Sequence, residues 1–416
     1  MEIWILQTGE PVHSDQDNSR PMRAMNLANK LVERGHRVVL WTSAFHHRDK
    51  RHRYKEHTEI NISENLQIRL VPSSGYKRNI SISRFYDHCV LAHNIRRRLR
   101  TCENNPDVAF VGYPPIEAAY VMGQWLKKRN IPYLLDVKDQ WPNILVDSVP
   151  KSVRFFARIL LQPYYFIAKK TMKNATGICA HTSGYVNWSL AFSNKEKSSA
   201  DLVAPLSAPN DLISTKEMAD ALNWWANRGI EKTRKFRVIF VGTFSRAFDF
   251  KTVFSAAAKL KNKNIDCEFV LCGEGERVDE LRSATANLEN IKIIGWIDRP
   301  KIVALSHISA LTIAPYKNTY DFSISIPNKI IDSLLLGLPI LSSLQGVVSD
   351  LISQHKIGLS YMNTSDLFDC VKTLERDCQI HKEMSKNAKN LYKSDFDCDT
   401  VYSALSEKLE NLKAHE

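Results

Sequence analysis

Ser325-Ile326-Pro327-Asn328-Lys329, followed by Asp332, is a run whose residue types could bind an anion and a hydroxyl together. A proline is tolerated in the first turn of a helix, because its missing N–H would be unbonded there. A helix is therefore expected to open at Pro327 and to bury the apolar run 330–336. Gly337 is placed to stop it, Pro339 prevents its continuation, and Ile340-Leu341 begins a buried strand. A loop of small residues would then aim backbone N–H groups, and the positive end of a helix, at one spot. That is an anion site, and Asp332 on the same helix could accept from a sugar hydroxyl. The stretch also reads as an ordinary loop, helix and strand with one stray acid.

Other chemistry-bearing residues fall just after apolar strand-like runs. Gly9 follows 3–7, where a ligand could approach the backbone. Asp136, Lys138 and Asp139 follow 132–135 and lead into Trp141-Pro142. Arg246 lies past 236–241 and is suited to paired contacts with a phosphate. Gly273 follows 268–272, and Gly295-Trp296 closes 291–294, where a base could lie against the tryptophan or the tryptophan could be core. There is no Gly-x-Gly-x-x-Gly, Gly-x-x-x-x-Gly-Lys-Ser/Thr, Gly-x-Ser-x-Gly or His-Glu-x-x-His. Nicotinamide, P-loop, serine-hydrolase and zinc-protease readings lack their residues.

The elements that must position these groups alternate strand and helix twice along 416 residues. Such alternation predicts parallel sheets with helices on both faces, and ligands bind at the carboxyl ends of their strands. The expected organisation is an N-terminal Rossmann-like domain over 1–205, a connection over 206–235, a second Rossmann-like domain over 236–395, and a terminal helix over 396–416 returning to the first domain. The two doubly wound domains are expected to face each other across a cleft.

Net charge is +12, and its distribution is uneven. Residues 1–201 hold 30 of the 57 Lys and Arg and 18 of the 45 Asp and Glu, so they carry the whole excess. The remainder is neutral, which suggests two domains with different partners. A basic half could face anionic lipid. No helix-turn-helix, RRM or finger pattern supports nucleic acid as the partner. The segment 152–173 mixes aromatics with cations; it reads first as a helix packing its apolar stripe inward and second as an in-plane membrane contact. The eight cysteines form no Cys-x-x-Cys and no zinc spacing, which fits a reducing cytoplasm. No apolar run reaches the length of a membrane span.

Several of these motifs together resemble the retaining GT-B glycosyltransferases of the GT4 class, over nearly the whole chain. The nearest resemblance is to bacterial acetamido-sugar transferases of O-antigen and capsule assembly. It rests on Leu27-Ala28 with Leu31 and Arg34-Gly35-His36-Arg37-Val38, on Trp41-Thr-Ser-Ala-Phe-His46-His47 with Lys50, on Leu135-Asp136-Val137-Lys138-Asp139-Gln140-Trp141-Pro142, and on Ser325 to Asp332 with Gly337-Leu-Pro339. The resemblance implies a GT-B fold and a metal-independent, retaining hexosyltransferase without a cofactor. The donor would be a nucleotide sugar, taken as a UDP-sugar, and the acceptor a glycan or lipid-linked glycan. The protein would sit in the cytoplasm at the inner face of the membrane. Asp139, Lys138 and Arg246 are the implied catalytic residues. Donor contacts would come from Gly9, Arg246, Gly273, Gly295, Trp296, Ser325, Ile326, Pro327, Asn328, Lys329 and Asp332, with backbone N–H groups of 325–328 on the phosphates. Acceptor contacts would come from Arg20, Arg23, His46, His47, Asp136 and Trp141. The sequence departs from the family at Ile324, where the first of two spaced acids is usual, and at Asp332, where Glu is usual. Epimerisation of a sugar nucleotide, and a catalytically silent GT-B binding protein, are the alternatives.

Overall fold

The computed structural model describes every residue except 16–20, 80, 210–212, 234 and 415–416. Arg20, an expected acceptor contact, therefore lies outside the described residues. The chain divides into two compact units, Met1–Pro205 with Cys398–Glu416, and Leu206–Asp397.

The first unit is built on eight strands: β1 (Glu2–Leu6), β2 (Arg37–Ser43), β3 (Thr58–Ser63), β4 (Leu66–Val71), β5 (Val108–Tyr113), β6 (Tyr133–Val137), β7 (Gly177–Ala180) and β8 (Leu202–Val203). Their order across the sheet is β8-β7-β6-β5-β1-β2-β4-β3. All pairs are parallel except β3, which runs antiparallel to β4 along the edge. The central strands β5 and β6 are buried at every residue, because helices cover both faces of a parallel sheet. The edge strand β3 has the polar alternation Thr-Glu-Ile-Asn-Ile-Ser and is mostly exposed. The last helix, Cys398–Ala414, packs on this unit, with Tyr402, Leu405 and Leu409 buried among Leu27 and Leu31. Glu410 on that helix accepts from Arg34 at 2.8 Å and lies 2.7 Å from the His36 ring. Those two partners hold its carboxyl at about 2.

The second unit has six strands, all parallel: β9 (Phe236–Val241), β10 (Cys267–Cys272), β11 (Ile291–Ile294), β12 (Leu311–Ala314), β13 (Ile340–Ser342) and β14 (Gly358–Ser360). Their order is β11-β10-β9-β12-β13-β14. The chain winds outward from β9 through β10 to β11, then returns to lay β12 against the other side of β9. The point of reversal is the crevice between β9 and β12, where doubly wound sheets take their ligands. Residues 206–235, expected to be a connection, belong to this unit. Their helix Thr215–Ala226 opens with a Ser214–Glu217 capping box and buries Trp225, whose indole N–H donates to the Lys301 carbonyl at 2.8 Å.

Two expected acceptor contacts are core groups instead. Arg23 and Asp136 are buried and form an ion pair at 2.9 Å, with Arg23 Nε also donating to both carboxylate oxygens. The guanidinium reaches further to the carbonyls of Ala204 and Pro205. It therefore ties the first helix, β6 and the end of the β8 segment together. Taking one partner away strands the other charge in the core, while replacing both with apolar groups removes the problem. Asp136→Ala is expected to cost on the order of 3–5 kcal/mol in urea unfolding. The double variant Arg23→Met/Asp136→Leu should recover much of that loss, and equal losses in the two would overturn this account.

Candidate functional site

In the second unit, the expected donor contacts Lys329, Asp332 and Gly273 lie at or beside the end of β9. Lys329 lies in the first turn of the helix Asn328–Leu336. Its ammonium donates to the Val241 carbonyl at the end of β9. It also sits 4.4 Å from the Phe240 ring centre and 5.4 Å from that of Phe248. Removal from water pushes this amine down to about 8, against a smaller upward pull from Asp332. Gly242 makes the arrangement possible, since a Cβ there would lie 1.6 Å from Lys329 Nζ. Gly273 is held to its neighbour in the same way: its Cβ would come within 1.8 Å of the Gly242 carbonyl oxygen. Strand ends packed this closely leave the main chain bare.

No side chain caps the helix Asn328–Leu336, whose N-cap is Pro327. Asp332 is one turn on from Lys329, half-buried, and close enough to act on both Lys329 and Tyr316. Ser325 departs from the expectation that 325–328 all offer N–H groups to phosphate. It is buried, and both its N–H and its hydroxyl donate to the Phe322 carbonyl, at 3.3 and 3.4 Å. Pro327 has no N–H, so the amides that the loop could offer are those of Ile326, Asn328 and Lys329. Arg246 is 84% exposed, with its guanidinium 3.7 Å from Glu276. It is a solvent-exposed cation on the loop that follows β9. Gly295 accepts from the Gly273 N–H at 3.1 Å, and Trp296 beside it is 60% exposed, so its indole face is open.

In the first unit, a pocket of about 140 Å³ opens at the carboxyl ends of β1, β2, β5 and β6. Gly9, His47, Lys138 and Asp139, all expected site residues, line it. Lys138 Nζ stands 3.5 Å from Glu10, whose other oxygen accepts from the Ala24 N–H at 2.9 Å. His47 Nδ1 faces the Tyr76 hydroxyl and, at 3.4 Å, the Lys50 ammonium. Burial and the neighbouring cations Lys50, Arg84 and Lys138 hold this imidazole down at about 4, so it is neutral at pH 7.

The wall opposite was not marked in the sequence. Tyr76, Arg84, Asp87 and His88 come from the helix Ile82–Arg100 and the loop before it. The Arg84 guanidinium lies 5.5 Å from the Tyr76 ring centre and 5.1 Å from that of Trp141. Trp141 is buried behind this wall, 5.6 Å from the His88 ring, and so supports the pocket instead of lining it. His46 also departs from its expected role. It is buried with Nδ1 3.2 Å and Nε2 3.6 Å from Asp49 and Asp15, and it stabilises the loop that carries His47. Behind His88, Glu117 Oε2 lies 3.7 Å from the ring, and Glu117 Oε1 accepts from the Tyr164 hydroxyl at 3.0 Å. Burial drives Glu117 up to about 7 and His88 down to about 3. Neutral imidazoles, an ammonium, a guanidinium, two carboxylates and aromatic rings suit a hydroxyl-rich ligand. Among the described residues, no group of three or more His, Cys, Asp or Glu could hold a metal ion.

Residues 225–391 match the family described as glycosyl transferases group 1. A 2-deoxystreptamine N-acetyl-D-glucosaminyltransferase of Niallia circulans is 23% identical over 159 residues, which are 37% of this chain and 40% of that one. The chain thus matches about two fifths of that relative's length. Among solved structures, sucrose-phosphate synthase of Thermosynechococcus elongatus superposes over 100% of both chains with a TM-score of 0.74 at 14% identity. HepE of Anabaena, in complex with UDP, covers 99% of both with a TM-score of 0.65 at 14% identity. These likenesses show the fold, which is GT-B: two doubly wound parallel-sheet units.

The Glu117 environment has a consequence for stability. Its carboxyl holds a proton up to about pH 7 when folded, but only to about 4.5 when unfolded. Between those values the folded state binds more protons, so this group's contribution weakens as pH rises from about 4.5 to 7. Glu117→Gln keeps an acceptor for Tyr164 and has no charge to bury. Urea unfolding should find it more stable than the parent at pH 8, by on the order of 2 kcal/mol, with the advantage gone near pH 4.5. An advantage that did not vary with pH would refute this assignment.

Proposed function

We propose that the protein is a retaining glycosyltransferase of the GT4 type that moves a hexosyl group from a UDP-sugar to a glycan or lipid-linked glycan. The observation that carries this reading is the meeting, at the β9–β12 crevice, of the Lys329 ammonium, an uncapped helix N-terminus and Asp332. Fixed positive groups of that kind stabilise a departing diphosphate, and Asp332 can accept from ribose hydroxyls. The match of residues 225–391 to the group 1 family covers this crevice, and the complex of HepE with UDP supports the choice of nucleotide.

In the reaction, the bond from the sugar's anomeric carbon to the diphosphate oxygen breaks, and the electron pair leaves with the diphosphate. The acceptor oxygen bonds to the same face of that carbon, and its proton passes to the departing phosphate oxygen. Lys329 and the helix amides hold the growing negative charge, with Arg246 closing on it from solvent, so no metal or cofactor is needed. The pocket of the first unit takes the acceptor, with Lys138 and Asp139 placing its hydroxyls. The setting is assembly of bacterial surface polysaccharide, O-antigen or capsule, in the cytoplasm, with the basic first unit facing an anionic membrane.

Incubation with UDP-sugars and acceptor, followed by NMR of the product, tests the reading; retention at the anomeric carbon is expected. Isomerised donor in the absence of acceptor would identify an epimerase, and unchanged donor with every acceptor would identify a binding protein. UDP calorimetry tests the crevice. Lys329 loses its proton as pH rises through about 8, so affinity should fall from pH 7 to pH 9. Lys329→Met should weaken binding by roughly tenfold to a hundredfold at pH 7 and flatten that decline. Arg246→Ala should cost only about fivefold or less, because the side chain is exposed. Unchanged affinity in Lys329→Met would remove Lys329 from the donor site.

A further inference from the structure

Only the second half of the segment from 152 to 173 packs an apolar stripe inward as the sequence suggested; the first half does not. No residue of the helix Arg154–Leu160 is buried. Phe155 and Phe156 are each 69% exposed, and Leu160 is 81% exposed. Contacts of this helix are chiefly with the segments directly before and after it in the chain. At the helical angle of about 100° per residue, Phe155, Phe156, Ile159 and Leu160 share one face, and Arg154 and Arg158 fall on the other side. The following helix, Gln162–Asn174, buries Tyr164, Ala168 and Met172 against the body of the unit. It leaves Phe166 exposed beside Lys169 and Lys170. Phe85 at the start of the helix Ile82–Arg100 is also exposed and meets Tyr164 edge to face at 5.5 Å.

Contiguous exposed aromatic and aliphatic side chains of this extent mark an interaction surface. The charge pattern identifies the partner. Residues 148–174 contain six Lys and Arg and no Asp or Glu. Lys151, Arg158, Lys169, Lys170 and Lys173 are exposed. A basic helix with phenylalanines on its other face lies in the plane of a bilayer interface, with its apolar face among acyl chains and its cations at lipid phosphates. No helix among the described residues is long and apolar enough to cross a membrane.

We propose that the helix Arg154–Leu160, with Phe166 and the cations of the next helix, is the surface by which this protein docks on an anionic bilayer. This deepens the membrane association proposed above, and it depends on no step of the transfer chemistry. Insertion of Phe155, Phe156 and Leu160 supplies the apolar part of the affinity. Arg158, Lys169 and Lys170 select anionic over neutral lipid.

Flotation of the full-length protein with vesicles tests the assignment. The parent should float with phosphatidylglycerol-containing vesicles and not with pure phosphatidylcholine. Each of Arg158→Gln and Lys170→Gln should weaken the anionic-vesicle affinity by roughly fivefold. The triple variant Phe155→Ser/Phe156→Ser/Leu160→Ser should lose at least about tenfold, while its UDP affinity stays at the parent value. No flotation of the parent, or flotation equal to the parent's in the triple variant, would overturn the proposal. So would light scattering that shows a lipid-free dimer which the triple variant dissociates, because the surface would then bind a second copy. Loss of UDP binding in the parent would count against the transferase reading and leave the docking result standing.

Discussion

A lysine ammonium is held partly out of water at the end of a buried strand, and the second unit is shaped around that cost. Lys329 is half-buried, with one carbonyl and two aromatic faces taking the place of part of its hydration shell. A cation so placed is under-solvated and gains more from an arriving anion than a hydrated one would. Its position requires glycine at 242, and the close approach of neighbouring strand ends requires glycine at 273. The cluster Phe240, Phe244, Phe248 and Phe250 packs rings beneath it at 5.1–5.9 Å. The same groups thus provide the core of the unit and the electrostatics of the crevice.

Both units spend buried ion pairs on geometry. In the first, Arg23 and Asp136 join helix to sheet. In the second, Arg237 pairs with Glu268 at 2.8 Å on adjacent strands, and its guanidinium reaches the carbonyls of Ile308 and Glu231. Pairs of this kind add little net stability, because desolvation offsets attraction. Arg23–Asp136 lies toward the carboxyl end of β6, near the pocket, while Arg237–Glu268 ties the amino ends of β9 and β10, opposite the crevice. The first unit's pocket has the complementary character. Burial keeps His47 and His88 neutral, and the wall carries charges of both signs, Arg84 and Lys138 with Asp87 and Asp139, so it offers many hydrogen bonds, as a hydroxyl-rich ligand requires.

Much of this was legible in the chain. The strands at 3–7, 107–111, 236–241 and 268–272 are apolar runs closed by turn residues, and parallel sheets produce that pattern locally. The loop into Pro327, the helix and its stop at Gly337 follow from backbone chemistry within twenty residues. Less visible was the edge strand Thr58–Ser63, whose polar alternation is weak because one side faces water. The roles of Arg23, Asp136, His46 and Trp141 could not be read either. A charged or aromatic residue after a strand has the same local sequence whether it points into a pocket or into the core.

The sequence by itself determined the alternation, the anion-binding shape of the 325–332 loop and the charge asymmetry, because each depends on neighbours along the chain. Only the tertiary structure decided which charges meet. Arg23 finds Asp136 across more than a hundred residues, and Lys329 finds the end of β9 from nearly ninety residues away. Ser325 turns its N–H back into its own loop. Desolvation and pairing depend on what packs against a group in space. They give Lys329, His47 and Glu117 properties that no local pattern encodes, and they leave Phe155 and Leu160 in solvent where helical periodicity alone would have buried them.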